Sequence, residues 1–364
     1  MIQTWAMFKD AYRELNYRKL FWVTLALSLL GVLAFAAVGI DENGITIFHW
    51  SIELQLINTK FLSKADFYKL AFSVVGVQYW LGWFATILAI ISTASIFPDF
   101  IGSGSIDLIL SKPISRVRLF LTKYLTGLLF VTLQVSAFTF ACIFVIGIRG
   151  DSWEPWLLVS IPLLVIFYSY LFCVQAVVGM LTRSPIASII AVGIFWMVCF
   201  GLQTADGITL VGATANGIEV ENTEKRLLGQ RQMLEYDEED QIPERMERID
   251  KILLQLDEIE SNHATWVSVN YWVHFANTLL PKTGQTNELL LRTLKDQADL
   301  TAFEADEGDE RRFFNVRVER REVERRLKEI EDQDYSWTWV IGSSLAFEVF
   351  ILSLGCWWFV RRDF

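Results

Sequence analysis

PWLLVSIPLLVIFYSYLFCVQAVVGMLT, residues 155–182, contains no Asp, Glu, Lys or Arg. It is longer than the about 20 apolar residues needed to cross a bilayer. Only Arg183 separates it from a second uncharged run, residues 184–205. Working outward, Leu20–Ile40, Leu70–Pro98 and Tyr124–Ile148 have the same character, and Tyr335–Val360 is interrupted only by Glu348. Length alone would suggest roughly two or three soluble domains, and these runs override that expectation. The predicted fold class is an all-α polytopic membrane protein with six transmembrane helices. An extracytoplasmic insert, a helical hairpin with a few short strands, lies between helices 5 and 6.

Charge orients the chain. With the N-terminus in the cytoplasm, the inner flanks hold Lys9, Arg13, Arg18, Lys19, Lys112, Arg116, Arg118, Lys123, Arg183, Arg361 and Arg362, and the two short outer loops hold only Lys60, Lys64, Lys69 and Arg149. Basic residues near span ends resist translocation, so both termini are expected inside. Polar residues before the first run, the run's length and the lack of a small-residue cleavage site argue against a secretory signal. Trp153 and Trp156, Trp337 and Trp339, and Trp357 and Trp358 fall at predicted span ends, where indole rings favour the headgroup layer. The four cysteines, Cys142, Cys173, Cys199 and Cys356, lie within the runs at no metal-ligand spacing, and no metal site is expected.

The net charge of −10 is unevenly spread: Asp206–Asp334 carries 30 acidic and 17 basic residues, whereas the rest of the chain is slightly basic. The expected organisation is a cytoplasmic amphipathic helix (1–19), transmembrane helices 1–5 (20–205) with a cytoplasmic loop at 97–118, the insert (206–335), and helix 6 with the cytoplasmic C-terminus (336–364). Within the insert, Ile242, Met246, Ile249, Leu253 and Leu256 follow a 4-3-4-3 spacing, the pattern of a coiled-coil seam. The acidic segment Tyr236–Asp240 reads as a turn between two antiparallel helices. Alternation over Phe48–Leu56, and short apolar patterns at Gly207–Val211, Gly217–Val220 and Phe314–Val318, suggest a small sheet joining the first outer loop to the insert. Ala264–Leu280 is uncharged and aromatic but short, and reads as an interfacial or re-entrant helix on the outer face.

No Gly-x-x-x-x-Gly-Lys-Ser/Thr phosphate loop, nucleophile elbow or zinc-type histidine pair is present, so the chain is not expected to be an enzyme. Nothing in it points to nucleic acid. The segment FPDFIGSGSIDLILSKPISR, residues 97–116, is short, amphipathic and basic at its end. Pro98 and Asp99 suit a first helical turn, Ile106, Ile109 and Leu110 give an apolar face, Pro113 must interrupt it, and Ser115 can cap the third span. It reads as a cytoplasmic loop against which another protein docks.

Gly104-Ser-Ile-Asp-Leu-Ile-Leu-Ser-Lys-Pro-Ile-Ser-Arg116, then Lys123-Tyr-Leu-Thr-Gly127, resembles the corresponding loop of ABC-2 type transporter permeases, nearest the NosY-like group associated with copper-enzyme maturation. Phe359-Val-Arg-Arg-Asp-Phe364 and Arg13-Glu-Leu-Asn-Tyr-Arg-Lys-Leu-Phe21 resemble the ends of the same family. The resemblance implies a permease subunit of an ATP-driven exporter in a bacterial inner membrane, expected as a homodimer. A separate cytoplasmic ATPase would carry ATP and magnesium, leaving no cofactor in this chain. It implies ATPase docking through Asp99, Gly104, Asp107, Lys112, Pro113, Ser115 and Arg116, and a re-entrant gate around Ala264–Leu280. The insert is far longer than the family's usual segment. That leaves open an alternative, a mechanotransmission or scaffold subunit that passes motion to an extracytoplasmic protein partner without moving substrate.

Glu348 is the remaining chemical signal. A carboxylate near the middle of a span costs about 2.5–3.5 kcal/mol on insertion scales, so it should face polar partners, for which Gln134 and Gln175 are the candidates.

Overall fold

The computed structural model describes residues 19–47, 50–53, 59, 62–102, 115–236, 238–239, 241–297, 310–313, 316–334 and 336–362. Residues 1–18 of the amphipathic helix expected over 1–19, and Gly104, Asp107, Lys112 and Pro113 of the expected docking loop, lie outside them. Helix α1 spans Lys19–Ala37. After it come three short strands, β1 (Val38–Asp41), β2 (Gly44–Ile47) and β3 (Trp50–Glu53). Next are α2 (Lys64–Ala71), a π-helical stretch over Phe72–Ala85, α3 (Thr86–Thr93) and α4 (Ile96–Gly102). Helix α5 covers Arg116–Arg149, and a short 3₁₀ turn at Pro155–Val159 leads into α6 (Ser160–Thr182). They are followed by α7 (Pro185–Met233), α8 (Ile242–Thr278), α9 (Thr283–Gln297), β4 (Glu310–Phe313), β5 (Val316–Glu319), α10 (Arg320–Asp334) and α11 (Trp337–Arg361).

Among the described residues, five helical stretches are long and apolar enough to cross a membrane: Lys64–Gly102, Arg116–Arg149, Pro155–Thr182, Pro185–Met233 and Trp337–Arg361. Helix α1 is apolar but shorter. The break between α6 and α7 is made by three residues within an otherwise continuous apolar run. Arg183 adopts a left-handed conformation and its N–H bonds Gly179 O, while Pro185 disfavours helical geometry at Ser184.

The chain forms two compact units. The first comprises Met1–Met197, Thr283–Glu304 and Ser344–Phe364. Its centre is the packing of α5 against α6 and α1, with α9 laid on α6 and on the π-helical stretch. Near the Arg149 end of α5, polar side chains tie the helices together. Tyr68 donates to Val38 O at 2.9 Å, Arg149 donates to Ala36 O, and Lys69 pairs with Glu154 at 2.8 Å. Burial would raise the pKa of Glu154, but donors from Lys69, Ser152 and Trp156 outweigh it and hold the carboxyl below its usual range. The stabilisation from ionised Glu154 is therefore present above the ordinary glutamate value of 4.5 and is lost as pH falls through the lower folded value. Glu154→Gln is expected to cost about 1 kcal/mol at neutral pH, a charge-assisted bond discounted for solvent screening. The gap from the parent should close as thermal melts are taken down to pH 3. A constant gap would contradict this account.

The first-loop strands form one antiparallel sheet, β1-β2-β3, turned between Asp41 and Gly44, where Gly44 takes a φ of 141° that suits only glycine. Strand β3 falls in the alternating Phe48–Leu56 segment, whereas β1 and β2 were not foreseen. Strands β4 and β5 pair separately. The expected joint sheet therefore does not form among the described residues. Gly207–Val211 and Gly217–Val220 are not strands: both lie inside α7, a helix of 49 residues. Their apolar residues pack at helical spacing, with Val211, Ala215 and Ile218 against Val323 and Leu327 of α10.

The second unit comprises Val198–Lys282 and Ala305–Ser343. In it α7 and α8 run antiparallel. Arg245 bonds Gln230, Ile249 and Ile252 cluster with Leu227, Gly217 faces His263, and Gly212 faces Trp266. Nearer the α8 C-terminus, Asn270 bonds Thr209 and Asn277 bonds Asp206. Small residues on α7 let the rings of α8 come close. The acidic turn lies between Met233 and Ile242. Of the expected seam, Ile249 and Leu256 pack in this cluster, Ile252 stands in for Leu253, and Ile242, Met246 and Leu253 stay exposed.

Candidate functional site

Three polar groups stand out in a chain dominated by apolar side chains. The first is Glu348 in α11, only 8% exposed. Its Oε1 accepts from Tyr124 Oη of α5 and its Oε2 from Ser169 Oγ of α6, both at 2.7 Å. Each hydroxyl also lies near a backbone carbonyl, Ser169 O at 3.1 Å from Tyr124 and Ile166 O at 2.8 Å from Ser169. Each has one proton and two acceptors, so the arrangement holds a carboxyl with bonds that can be redistributed. Among the described residues no Lys, Arg or His pairs with it. Tyr124 is set in place by aromatic packing. Its ring stacks on Phe172 at 5.1 Å, and Phe172 stacks in turn on Tyr168 at 5.6 Å. Phe172 can lie there because Gly127, one turn along α5 from Tyr124, has no side chain. A Cβ at that position would collide with the ring.

Gln134 and Gln175, expected as partners of Glu348, are engaged elsewhere. Gln175 donates to Ile90 O at 2.6 Å and accepts from Thr93, whose hydroxyl also meets Tyr168 Oη at 2.6 Å. Gln134 donates to Ser28 Oγ at 3.5 Å and lines a small void with Thr86 and Tyr168. Helical spacing could not have identified Tyr124 and Ser169, because neither is unusual in a span.

The second group lies in the other unit. Asp206 is 3% exposed; its Oδ2 accepts from Asn277 Nδ2 at 2.8 Å and lies 3.3 Å from His274 Nδ1. Asn277 is 1% exposed, and its Oδ1 has no partner among the described residues. Lys282 is buried, donates to Ser343 Oγ at 2.8 Å and sits over the Trp339 ring at 5.1 Å. Burial pushes its pKa down and the charge of Asp206 pulls it back.

The third group borders the loop expected to dock another protein. Asp99 is exposed in the first turn of α4, and Ser115 caps α5, accepting from Arg118 N at 3.3 Å. Arg116 is already engaged: it donates to Val360 O at 3.0 Å and Arg362 O at 2.7 Å, where α11 leaves its last carbonyls without helical donors. Ala264–Thr278, within the segment expected to be interfacial or re-entrant, is the C-terminal part of continuous α8, and α9 packs on α6 and the π-helical stretch with Thr283, Thr286, Leu289 and Leu290 buried.

These features define a helical membrane protein. A family model described as "Protein of unknown function (DUF2705)" matches residues 34–205, which run from within α1 into α7 and include neither α8 nor α11. No curated protein and no solved structure matches.

Proposed function

We propose that this chain is the permease subunit of an ABC-2 type ATP-driven exporter. In this reading six helices, α1 included, cross a bacterial inner membrane with both termini in the cytoplasm. Two copies form the path, and a separate ATPase docks on the loop between the second and third spans. The carrying observation is the loop itself. Its family-like motif runs from Gly104 to Arg116 between two membrane-length helices, with an exposed acid, Asp99, at one border and a capped helix start, Ser115, at the other. The chain would bind no nucleotide; hydrolysis would belong to the partner. Because Arg116 also fastens α11, Asp107→Lys with Lys112→Glu is the cleaner disruption of docking. This double variant is expected to keep its melting temperature and lose co-purification of the ATPase. Retained co-purification would remove the docking assignment.

A second reading is favoured by α7. One unbroken helix from Pro185 to Met233, about 73 Å long at ~1.5 Å per residue, joins a membrane segment to the α7/α8 hairpin. Such a rod suits mechanotransmission to an extracytoplasmic partner. Substrate movement in reconstituted vesicles separates the two readings.

A further inference from the structure

We propose that the α7/α8 hairpin docks a partner helix with a basic flank, seated on the stripe of α8 made by Ile242, Met246 and Leu253. Such a helix is the partner required by the second reading above, on which the inference rests; the surface is defined by the hairpin alone. Side chains four and seven apart share a face of a helix, so these three residues form one line. All three are exposed. The neighbouring line, Ile249, Ile252 and Leu256, packs on Leu227 of α7 and on Leu234 just after it. The hairpin therefore uses part of a coiled-coil seam internally and leaves the rest, in the same register, facing outward.

Charge selects the occupant. Asp250 and Asp257 stand one turn after Met246 and Leu253 and line the outer border of the stripe, and both are exposed. Neither forms an ion pair among the described residues. The opposite face of α8 differs. There Glu244 pairs with Arg248 and Glu247 with Lys251, so its charges are balanced within the helix. The unpaired acids thus lie beside the exposed apolar line, where flanking charges in a coiled coil set partner choice. Leu254, beyond the aspartates, is also exposed and widens the apolar contact. A helix with Lys or Arg beside its own apolar seam satisfies both features. A second copy does not. Arg245, the cation on the border next to α7, already bonds Gln230, so a copy would bring aspartates to aspartates, a like-charge contact that suppresses pairing. A lipid surface is matched no better, since helices that lie on membranes carry Lys and Arg on their polar face.

The purified full chain in detergent is titrated with fluorescent synthetic peptides of about three heptads, carrying leucine at the seam positions and either lysine or glutamate on both flanks. Fluorescence anisotropy should show saturable binding of the lysine peptide, with the glutamate peptide weaker by about tenfold or more. Asp250→Lys combined with Asp257→Lys should reverse that order. Met246→Gln combined with Leu253→Gln should weaken the lysine peptide by about tenfold or more at an unchanged melting temperature, because both side chains are exposed in the hairpin. Where the glutamine pair lowers the melting temperature, the lysine reversal decides, since it touches only exposed charges. Absence of binding overturns the proposal. Equal binding of a lysine peptide of scrambled order also overturns it, since charge alone would then explain the affinity. So does disulfide capture of one copy by another through Leu253→Cys, absent from the parent chain, which would seat a second copy on the stripe. These readouts involve neither ATPase nor substrate, so their failure removes the docking surface alone, and the vesicle assay decides the second reading separately.

Discussion

Gly127→Val is expected to abolish recovery of the folded monodisperse protein from detergent extracts, and Gly127→Ala to lower its stability by about 1–3 kcal/mol, the usual range for overpacking a filled core. Even the alanine methyl would lie well inside van der Waals contact with Phe172 Cζ. The ring has no easy retreat, because it is fully buried and stacked between Tyr124 and Tyr168. Small residues at helix contacts matter more in a bilayer than in water, since lipid tails solvate apolar surfaces and association rests on close packing. Size-exclusion profiles and thermal melts read the effect. Combining Gly127→Ala with Phe172→Leu should recover part of the loss. Wild-type melting of Gly127→Ala, or no recovery in the pair, would show that this contact does not organise α5 and α6.

Replacing the two buried carboxylates by leucine is expected to have unequal consequences. Asp206→Leu should destabilise the α7/α8 hairpin by about 2–4 kcal/mol, as expected when one member of a buried polar set is removed. The amide of Asn277 would lose its Nδ2 acceptor while its Oδ1 already lacks a partner. Glu348→Leu should cost no more than about 1 kcal/mol, because the hydroxyls left behind have other acceptors, Ser169 O for Tyr124 and Ile166 O for Ser169. Differential protection in hydrogen exchange localises the first effect, and melts with and without each substitution measure both. Equal costs would contradict the bond inventory. The asymmetry also has a use: a Glu348 variant that assembles normally yet alters transport would assign the carboxyl a functional rather than a structural role.

Much of the membrane architecture could be read from the sequence because charge exclusion acts over whole spans, and runs such as 155–182 admit no other economical placement. The strand readings inside α7 failed for a physical reason. Four or five residues sample too little of either period, and Gly207–Val211 owes its apolar pattern to contacts with α8 and α10 rather than to a pleat. Tyr124 and Ser169 could not be identified as holders of Glu348, since hydroxyl residues are ordinary in spans and the match depends on three helices meeting at one height. Glutamines were the natural guess by chemistry, but α3 and α1 claim them. The heptad seam of α8 was visible, and its Ile249 and Leu256 pack in the hairpin, but Ile252 takes the place of Leu253.

Arg116 has a consequence for how the molecule is handled. Its two bonds make the start of α5 and the end of α11 a single clasp through the carbonyls of Val360 and Arg362. A truncation before Arg362 would remove part of that clasp. Glu348 stands twelve residues up the same helix from Val360. A displacement of the α5 start would thus be passed to α11, the helix that carries the carboxyl.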